Sequence, residues 1–441
     1  MEILNDECPC SVNEAELFDA VPKQVVLEST RQSFYTPVTS LTSSSGVIEF
    51  SVDGSNDEFI DLNDTELVLE VKVLNSEKSK DLKAEDVIAP MNNWLHTMFS
   101  EVQLEIQNKV VEGGQHLYAY KAYLYNLLSH NKSTKETQLV NSGWFKDTAS
   151  TINTSTNNAG FTSRQALITG SKTVQLGGPI LLDMFLQNRY LLPKTSFKLS
   201  LTRMKPEFQF GIHTANDVEG KASAVIVDIV SATLHIRKVQ ALASYIQTIE
   251  DNLITQNALY PIQRTIMNTF TIASGLQSYN CQSLFTGQLP KLVFLGFVRN
   301  DAYNGSYQQN PFNFQHFNIK SLSLTDSSNT ATFVEFKPDF KNRKVAREYN
   351  ALFKAMGIYN QSESFDITLN EFMNGYTIFG FNLTPDQHAS GHQQISRNAT
   401  VRLDISFSTN TDTGINLIAM GVFDGRIQIT KDRTVLCDWT S

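Results

Sequence analysis

The sequence predicts an all-β protein built as two antiparallel sandwich domains, and three observations carry that prediction. Apolar and polar residues alternate with period two over most of both halves. The chain, at 441 residues and 49.5 kDa, is too long for one hydrophobic core and suits two domains of roughly 200 residues each. Helical periodicity interrupts the alternation only twice, once in each half. Many helices between strands would have indicated a parallel sheet, whereas a lone helix in a run of strands suits an antiparallel sandwich with a loop excursion.

The alternation is cleanest in Glu66 to Leu74, where Leu67, Leu69, Val71 and Val73 take one face and Glu66, Glu70 and Lys72 the other. It recurs at Val102, Leu104 and Ile106, at Phe197, Leu199 and Leu201, at Leu234 and Ile236, and at Val401, Leu403, Ile405 and Phe407. Turn-rich stretches separate these runs, among them Ser43 to Gly46, Asp53-Gly54 and Asp424-Gly425. Asn108-Lys109 suits a tight hairpin tip between Leu104 and Val111.

The two helical stretches are His116 to Ser129, with Leu117, Tyr120, Leu124, Leu127 and Leu128 on one face, and Lys341 to Met356, with Val345, Tyr349, Leu352, Phe353 and Met356 together. The alternation lapses in the polar stretch Ile249 to Asn257 and restarts at Tyr260-Pro261, which places the domain junction there. Residues 1–33 read as an acidic arm, with Glu14 to Phe18 able to make one helical turn; 34–254 form the first domain and 255–441 the second.

With 36 Lys plus Arg against 45 Asp plus Glu, the formal charge is -9, and no basic arm exists to neutralise phosphates. Stoichiometric coating of nucleic acid is disfavoured on that balance, because such affinity comes mostly from cationic contacts. Cys8, Cys10, Cys281 and Cys437 lack zinc-finger spacing, and a reduced protein is expected. The first twenty residues have neither a basic start nor an apolar core, and no apolar run is long enough to span a membrane, so a protein made inside the cell is expected.

The chemistry-bearing motifs are missing or incomplete. Gly170-Ser171-Lys172-Thr173 and Gly220-Lys221-Ala222-Ser223 both fail the phosphate-loop pattern. G-x-S-x-G, H-E-x-x-H and the H-x-H of metal-binding cupins do not occur. His388 and His392 form a loop pair without a third ligand, and His235 falls on the polar side of a strand. Asp57, Glu58, Asp61 and Asp64 lie beside a strand start, where turn capping accounts for them, and Glu112 stands alone. Lys341, Arg343, Lys344 and Arg347 read first as the wet side of a helix and second as a contact to nucleic acid or an acidic partner. Asp183 and Arg189 lie among Leu182, Met184, Phe185 and Leu186 and need partners. Asn310-Pro311 marks a turn, after which Phe312, Phe314 and Phe317 require burial, in the core of their own domain or at an interface. No catalytic, cofactor-binding or metal-ligating residue is assigned, and no enzyme activity is expected.

In order along the chain stand FYTPVTSL (Phe34 to Leu41), NNWLHTMFSEVQLEIQNKVVE (Asn92 to Glu112), YKAYLYNLLSHNKSTKETQL (Tyr120 to Leu139) and GGPILLDMFLQNRYLLP (Gly177 to Pro193). YPIQR, FTGQLPKLVFLGFV and NPFNFQHF then follow one another between Tyr260 and Phe317. Together they resemble the major capsid proteins of Polinton (Maverick) elements and adintoviruses, relatives of virophage capsid proteins and adenovirus hexons. The resemblance covers about nine tenths of the chain, outside the first thirty or so residues and the Ser/Thr/Asn-rich loop near Ala149 to Ala159. Gly177-Gly178-Pro179 departs from the relatives' pattern, and Cys8-Pro9-Cys10 has no counterpart there.

The resemblance implies two tandem eight-stranded antiparallel jelly rolls, a double jelly roll with a short helix inserted in each. It implies a major capsid protein forming pseudo-hexameric homotrimeric capsomers and an icosahedral shell. The expected partners are further copies of the chain together with penton and minor capsid proteins; neither direct nucleic-acid binding nor a cofactor is expected, and the expected location is the virion. A sugar- or receptor-binding β-sandwich of the virion surface is the second expectation.

Overall fold

The computed structural model of the chain describes residues 24–42, 46–75, 81–83, 86–213, 225–326, 332–387 and 393–439. Cys8, Cys10, the segment Glu14 to Phe18, Gly220 to Ser223, His388 and His392 lie outside the described residues.

In the first half the sandwich strands, apart from a small two-stranded sheet of Ile88–Pro90 and Phe210–Ile212, are β1 (Leu27–Tyr35), β2 (Val47–Val52), β3 (Glu58–Asn75), β4 (Phe99–Ile106), β5 (Lys109–Glu112), β6 (Val174–Pro179), β7 (Phe197–Arg203) and β8 (Val225–Ala241). They form two four-stranded sheets, β1-β8-β3-β6 and β2-β7-β4-β5, with every neighbour antiparallel. The second half supplies β9 (Ala258–Ile272), β10 (Ser278–Phe285), β11 (Leu292–Arg299), β12 (Ile319–Asp326), β13 (Thr332–Phe336), β14 (Ile378–Asn382), β15 (Val401–Phe407) and β16 (Ile415–Ile429). Its sheets are β9-β16-β11-β14 and β10-β15-β12-β13, again antiparallel, with Val435–Cys437 added beyond β16. Numbered within its own half, each unit has the order 1-8-3-6 and 2-7-4-5. The same sandwich is built twice.

Local sequence explains the elements. In β3 the predicted inner residues Leu67, Leu69, Val71 and Val73 are all buried, while Glu70 and Lys72 alternate with them on the wetter face. The carboxylate cluster at the start of β3 shapes a bulge. Asp61 accepts hydrogen bonds from the backbone N–H groups of Asn63 and Asp64, and its pairing with Arg237 of β8 spans a register shift. The hairpin between β4 and β5 turns at Gln107 and Asn108, one residue earlier than expected. Both take positive φ, which leaves Lys109 extended in β5.

Four longer helices are α1 (Tyr118–Ser129), α2 (Ala159–Ile168), α3 (Ala243–Thr255) and α4 (Ala346–Ala355). The helical content thus exceeds the one helix per half read from periodicity. The additional α2 starts where the Asn158 side chain caps the Phe161 N–H. The additional α3 occupies the polar stretch read as the domain junction. Most of α3 is exposed; Leu253 is buried and Ile246 and Ile249 are half-buried against the first core, a narrow stripe among polar residues. The arm also ends earlier than residue 33. Leu27–Tyr35 pairs along β8, and its polar LESTRQSF sequence is exposed on both faces, so no alternation marks it as a strand.

Two apolar cores result, one per half, and each reaches into the other. Gly296 in β11 shows how tightly the second is packed, because a Cβ there would lie 2.5 Å from the ring of Phe314. Gly296→Ala is therefore expected to cost about 1–3 kcal/mol. Urea unfolding checks this, and an unchanged midpoint would contradict the packing.

Candidate functional site

With no catalytic set in the sequence, the site that gives the molecule its working shape is the seam between the two sandwiches. Helix α1 fills it. Tyr118, Ala122 and Tyr125, spaced four and three residues apart, pack with the first core. Tyr120, Tyr123, Leu124, Leu127 and Leu128 lie on the opposite side and belong to the second core. The exchange is reciprocal, since Tyr260, Ile262, Ile427, Ile429 and Val435 of the second half are buried in the first core.

Aromatic contacts lock the helix to the NPFNF segment. Phe312 stacks on Tyr123 with ring centroids 4.1 Å apart and an interplanar angle of 4°, and it meets Tyr120 edge-on at 5.6 Å. Tyr123 also packs at 5.3 Å from Trp144. Each such pair adds about 0.5–1.5 kcal/mol beyond area burial. Phe312 and Phe314 are thus buried at the seam, with Phe317 only half-buried.

Polar nodes fix the register of the seam. Asp147 and Arg164, both almost wholly buried, pair at 2.6 Å. Asn158 donates to Asp147 Oδ1 at 2.9 Å, and Asn310 of the second half donates to Oδ2 at 3.1 Å. The Tyr376 hydroxyl, also from the second half, donates to the Asp147 carbonyl at 2.6 Å. The Asn310-Pro311 turn is therefore a docking element as well as a chain reversal.

A second node joins Glu112 at the end of β5, Lys121 on α1 and Asp183. The Lys121 ammonium bonds both carboxylates, at 2.7 Å to Asp183 Oδ1. Glu112 also accepts the Asp183 backbone N–H at 2.8 Å, and Asp183 Oδ2 accepts the N–H of Thr265 in β9 at 2.6 Å. Two carboxylates share one buried ammonium. Burial, reinforced by the Asp183 charge, pushes the Glu112 carboxyl up to about 7 despite Lys121. Burial works to lower the Lys121 pKa as well, but Asp183 and Glu112 outweigh it and raise it. Nearby, Lys135 is almost fully buried and donates to the Leu127 carbonyl at 2.6 Å near the C-terminal end of α1; burial and then Lys146 bring its pKa down to about 7.

No model of a known protein family matches the chain. An uncharacterized protein of Caenorhabditis elegans is 29% identical over 332 residues, covering 74% of this chain and 76% of that protein. Among solved structures, a chain of the Sputnik virophage cryo-EM structure superposes with a TM-score of 0.66 at 14% identity, covering 98% of this chain and 93% of that one. The mavirus major capsid protein matches with a TM-score of 0.53 at 12% identity, over 99% and 96% of the two chains. The Faustovirus major capsid protein gives 0.56 at 10%, over 94% and 92%. The fold is a double jelly roll.

Within the double jelly roll the remaining sequence candidates are scattered. Glu58 holds Arg31 of β1, and these groups are far in sequence from Glu112, which joins the seam instead. His235 packs edge-on against Phe34 at 4.7 Å. Lys341, Arg343, Lys344 and Arg347 are exposed, with Arg347 over the Phe336 ring. Cys281 is buried and Cys437 half-buried, both unbridged. Arg189 is exposed and donates to the Leu259 carbonyl at 2.6 Å rather than pairing with Asp183. Among the described residues no group of three or more His, Cys, Asp or Glu could hold a metal ion. Sequence reasoning missed Lys121, Asp147 and Arg164. Lys121 alone carried a signal, as a cation between the two tyrosines of an apolar helix.

Lys121→Met leaves two buried carboxylates without their cation, and a loss of about 3–5 kcal/mol is expected by chemical denaturation. A smaller loss than for an exposed control such as Lys132→Met would refute the node. The pH response follows from the sign of the Glu112 shift. Its folded value lies above the ordinary carboxylate value, so its contribution to stability is fully present below the unfolded pKa and is lost as pH rises through about 7. Wild type should therefore lose Tm relative to Glu112→Gln between pH 5.5 and 8. Lys135 shifts in the opposite sense but is common to both proteins and cancels from the difference.

Proposed function

We propose that the chain is a major capsid protein, three copies of which form a capsomer of six sandwich lobes that tiles an icosahedral shell. One observation carries the reading: the same eight-stranded sandwich is built twice in one chain and held in fixed relation by a shared, buried seam. Two rigidly joined lobes of like strand order give near-sixfold shape from threefold symmetry. Likeness of fold to the mavirus and Faustovirus major capsid proteins supports the role. The order of motifs from Phe34 to Phe317 supports an origin in the Polinton and adintovirus group.

In this reading the chain binds chiefly itself, with penton and minor capsid proteins as further partners in the virion. Its net charge of -9 supports a shell that leaves genome condensation to another component. The function is mechanical, and no residue is given a catalytic role.

Size-exclusion chromatography with light scattering should give a mass three times 49.5 kDa, and negative-stain images should show hexagonal particles. A stable monomer at micromolar concentration would overturn the proposal. Glycan binding by such a monomer would move the protein to the receptor-binding class.

A further inference from the structure

Between α1 and the outward side of the β9-β16-β11-β14 sheet lies a cleft of about 580 Å³, within the size range of small-molecule sites. Its walls are largely apolar, formed by Leu124 and Leu128 of α1, Leu292 and Phe294 of β11, Met420 of β16 and Met356 beyond α4. The mixture of Leu, Phe and two flexible Met side chains suits an unbranched alkyl chain better than a flat polar ring.

The charged groups around the cleft discriminate further. Asp183 is closed off by Lys121 at 2.7 Å and by the Thr265 N–H at 2.6 Å. Asp424 is closed off by Lys291 at 2.9 Å and by the Gln394 N–H at 2.7 Å. Neither carboxylate is left to repel an anion. At the rim, Arg189 is exposed, and its Nη1 donates to the Leu259 carbonyl at 2.6 Å. Among the described residues no carboxylate is in ion-pair contact with Arg189. Its guanidinium fork is suited to a carboxylate head.

We propose that the cleft is a binding site for a free fatty acid, the alkyl chain lying between α1 and the second roll's sheet and the carboxylate resting on Arg189. A chain bound there touches both halves of the molecule and stiffens the seam. The inference goes beyond the assembly reading and does not depend on it.

The test uses the purified full chain, stripped of lipid, with dodecanoate and dodecanol as probes. Native mass spectrometry should show one dodecanoate per chain, and calorimetry should show dodecanoate binding about tenfold tighter than dodecanol. Arg189→Gln should erase that preference while leaving dodecanol affinity unchanged. Met356→Trp, which fills the cleft, should weaken both probes by about tenfold or more with the circular dichroism spectrum unchanged. Absence of saturable dodecanoate binding to the wild-type chain overturns the proposal, as does binding that neither substitution alters. Should Met356→Trp fail to fold, the exposed Arg189→Gln variant decides the matter alone.

Discussion

A helix that is apolar on two opposite sides has no stable place at a protein surface, and that constraint on α1 organises the molecule. A surface helix needs one apolar stripe. Here the stripe of Tyr118, Ala122 and Tyr125 and the stripe of Tyr120, Tyr123, Leu124, Leu127 and Leu128 belong to different cores. Exposing either would return several large side chains to water, at about 1.5–3 kcal/mol each. Separation of the two rolls is opposed mainly by this term. The aromatic stack on Phe312 and the burial of Ile427, Ile429 and Val435 in the first core act in the same direction.

Apolar burial has no preferred direction, so it cannot by itself fix how one roll sits on the other. The polar nodes supply that. Asp147 takes bonds from Asn310 and Tyr376 of the second half, and Asp183 takes the Thr265 N–H, and these three crossing bonds are satisfied only in one alignment of the halves. A sliding movement of a few ångströms would leave each buried carboxylate its own cation but take away its crossing partner, and an unmade buried hydrogen bond costs more than the net gain of making it. Under the capsid role proposed above, every copy would have to present the same outline, and uniqueness of this kind would serve that need better than extra stability.

Sequence made the strands legible where one face is dry and the other wet, as in β3 and β15, because burial then imposes period two. It failed at β1, whose LESTRQSF is exposed on both faces and is held by hydrogen bonds to β8 and by the Arg31–Glu58 pair, neither of which leaves a pattern. It failed at α3 for a different reason, since Ile246, Ile249 and Leu253 do make a stripe against the first core, but a narrow one set in the polar run read as a domain junction. For α1 the second-core stripe was read correctly and the first-core stripe overlooked, because Ala122 is small and tyrosines suit wet and dry surfaces alike. Asp183 could be flagged as a carboxylate in apolar surroundings, and Glu112 only as one standing alone. Lys121 stands out as a cation in an apolar helix, but its pairing with these two carboxylates could not be read, because the separations in sequence follow from the path of an insertion and not from any local rule.

That insertion also explains why two sandwiches of one plan are not interchangeable. Both rolls carry helices in the connection between their fifth and sixth strands, α1 and α2 in the first and α4 in the second. The first insertion crosses to the neighbouring roll, whereas the second stays at home. Helix α4 lies on β14, where Gly380 lets Leu352 and Ala355 approach to within about 3.1 Å of where a Cβ would stand. The first lobe thus gives up its helix to the seam while the second keeps its own, and their outer surfaces differ accordingly. In the proposed capsomer of three chains the six lobes would share one strand order but alternate in what they present. Contacts between capsomers would then see threefold symmetry, with sixfold resemblance confined to the backbone of the sandwiches.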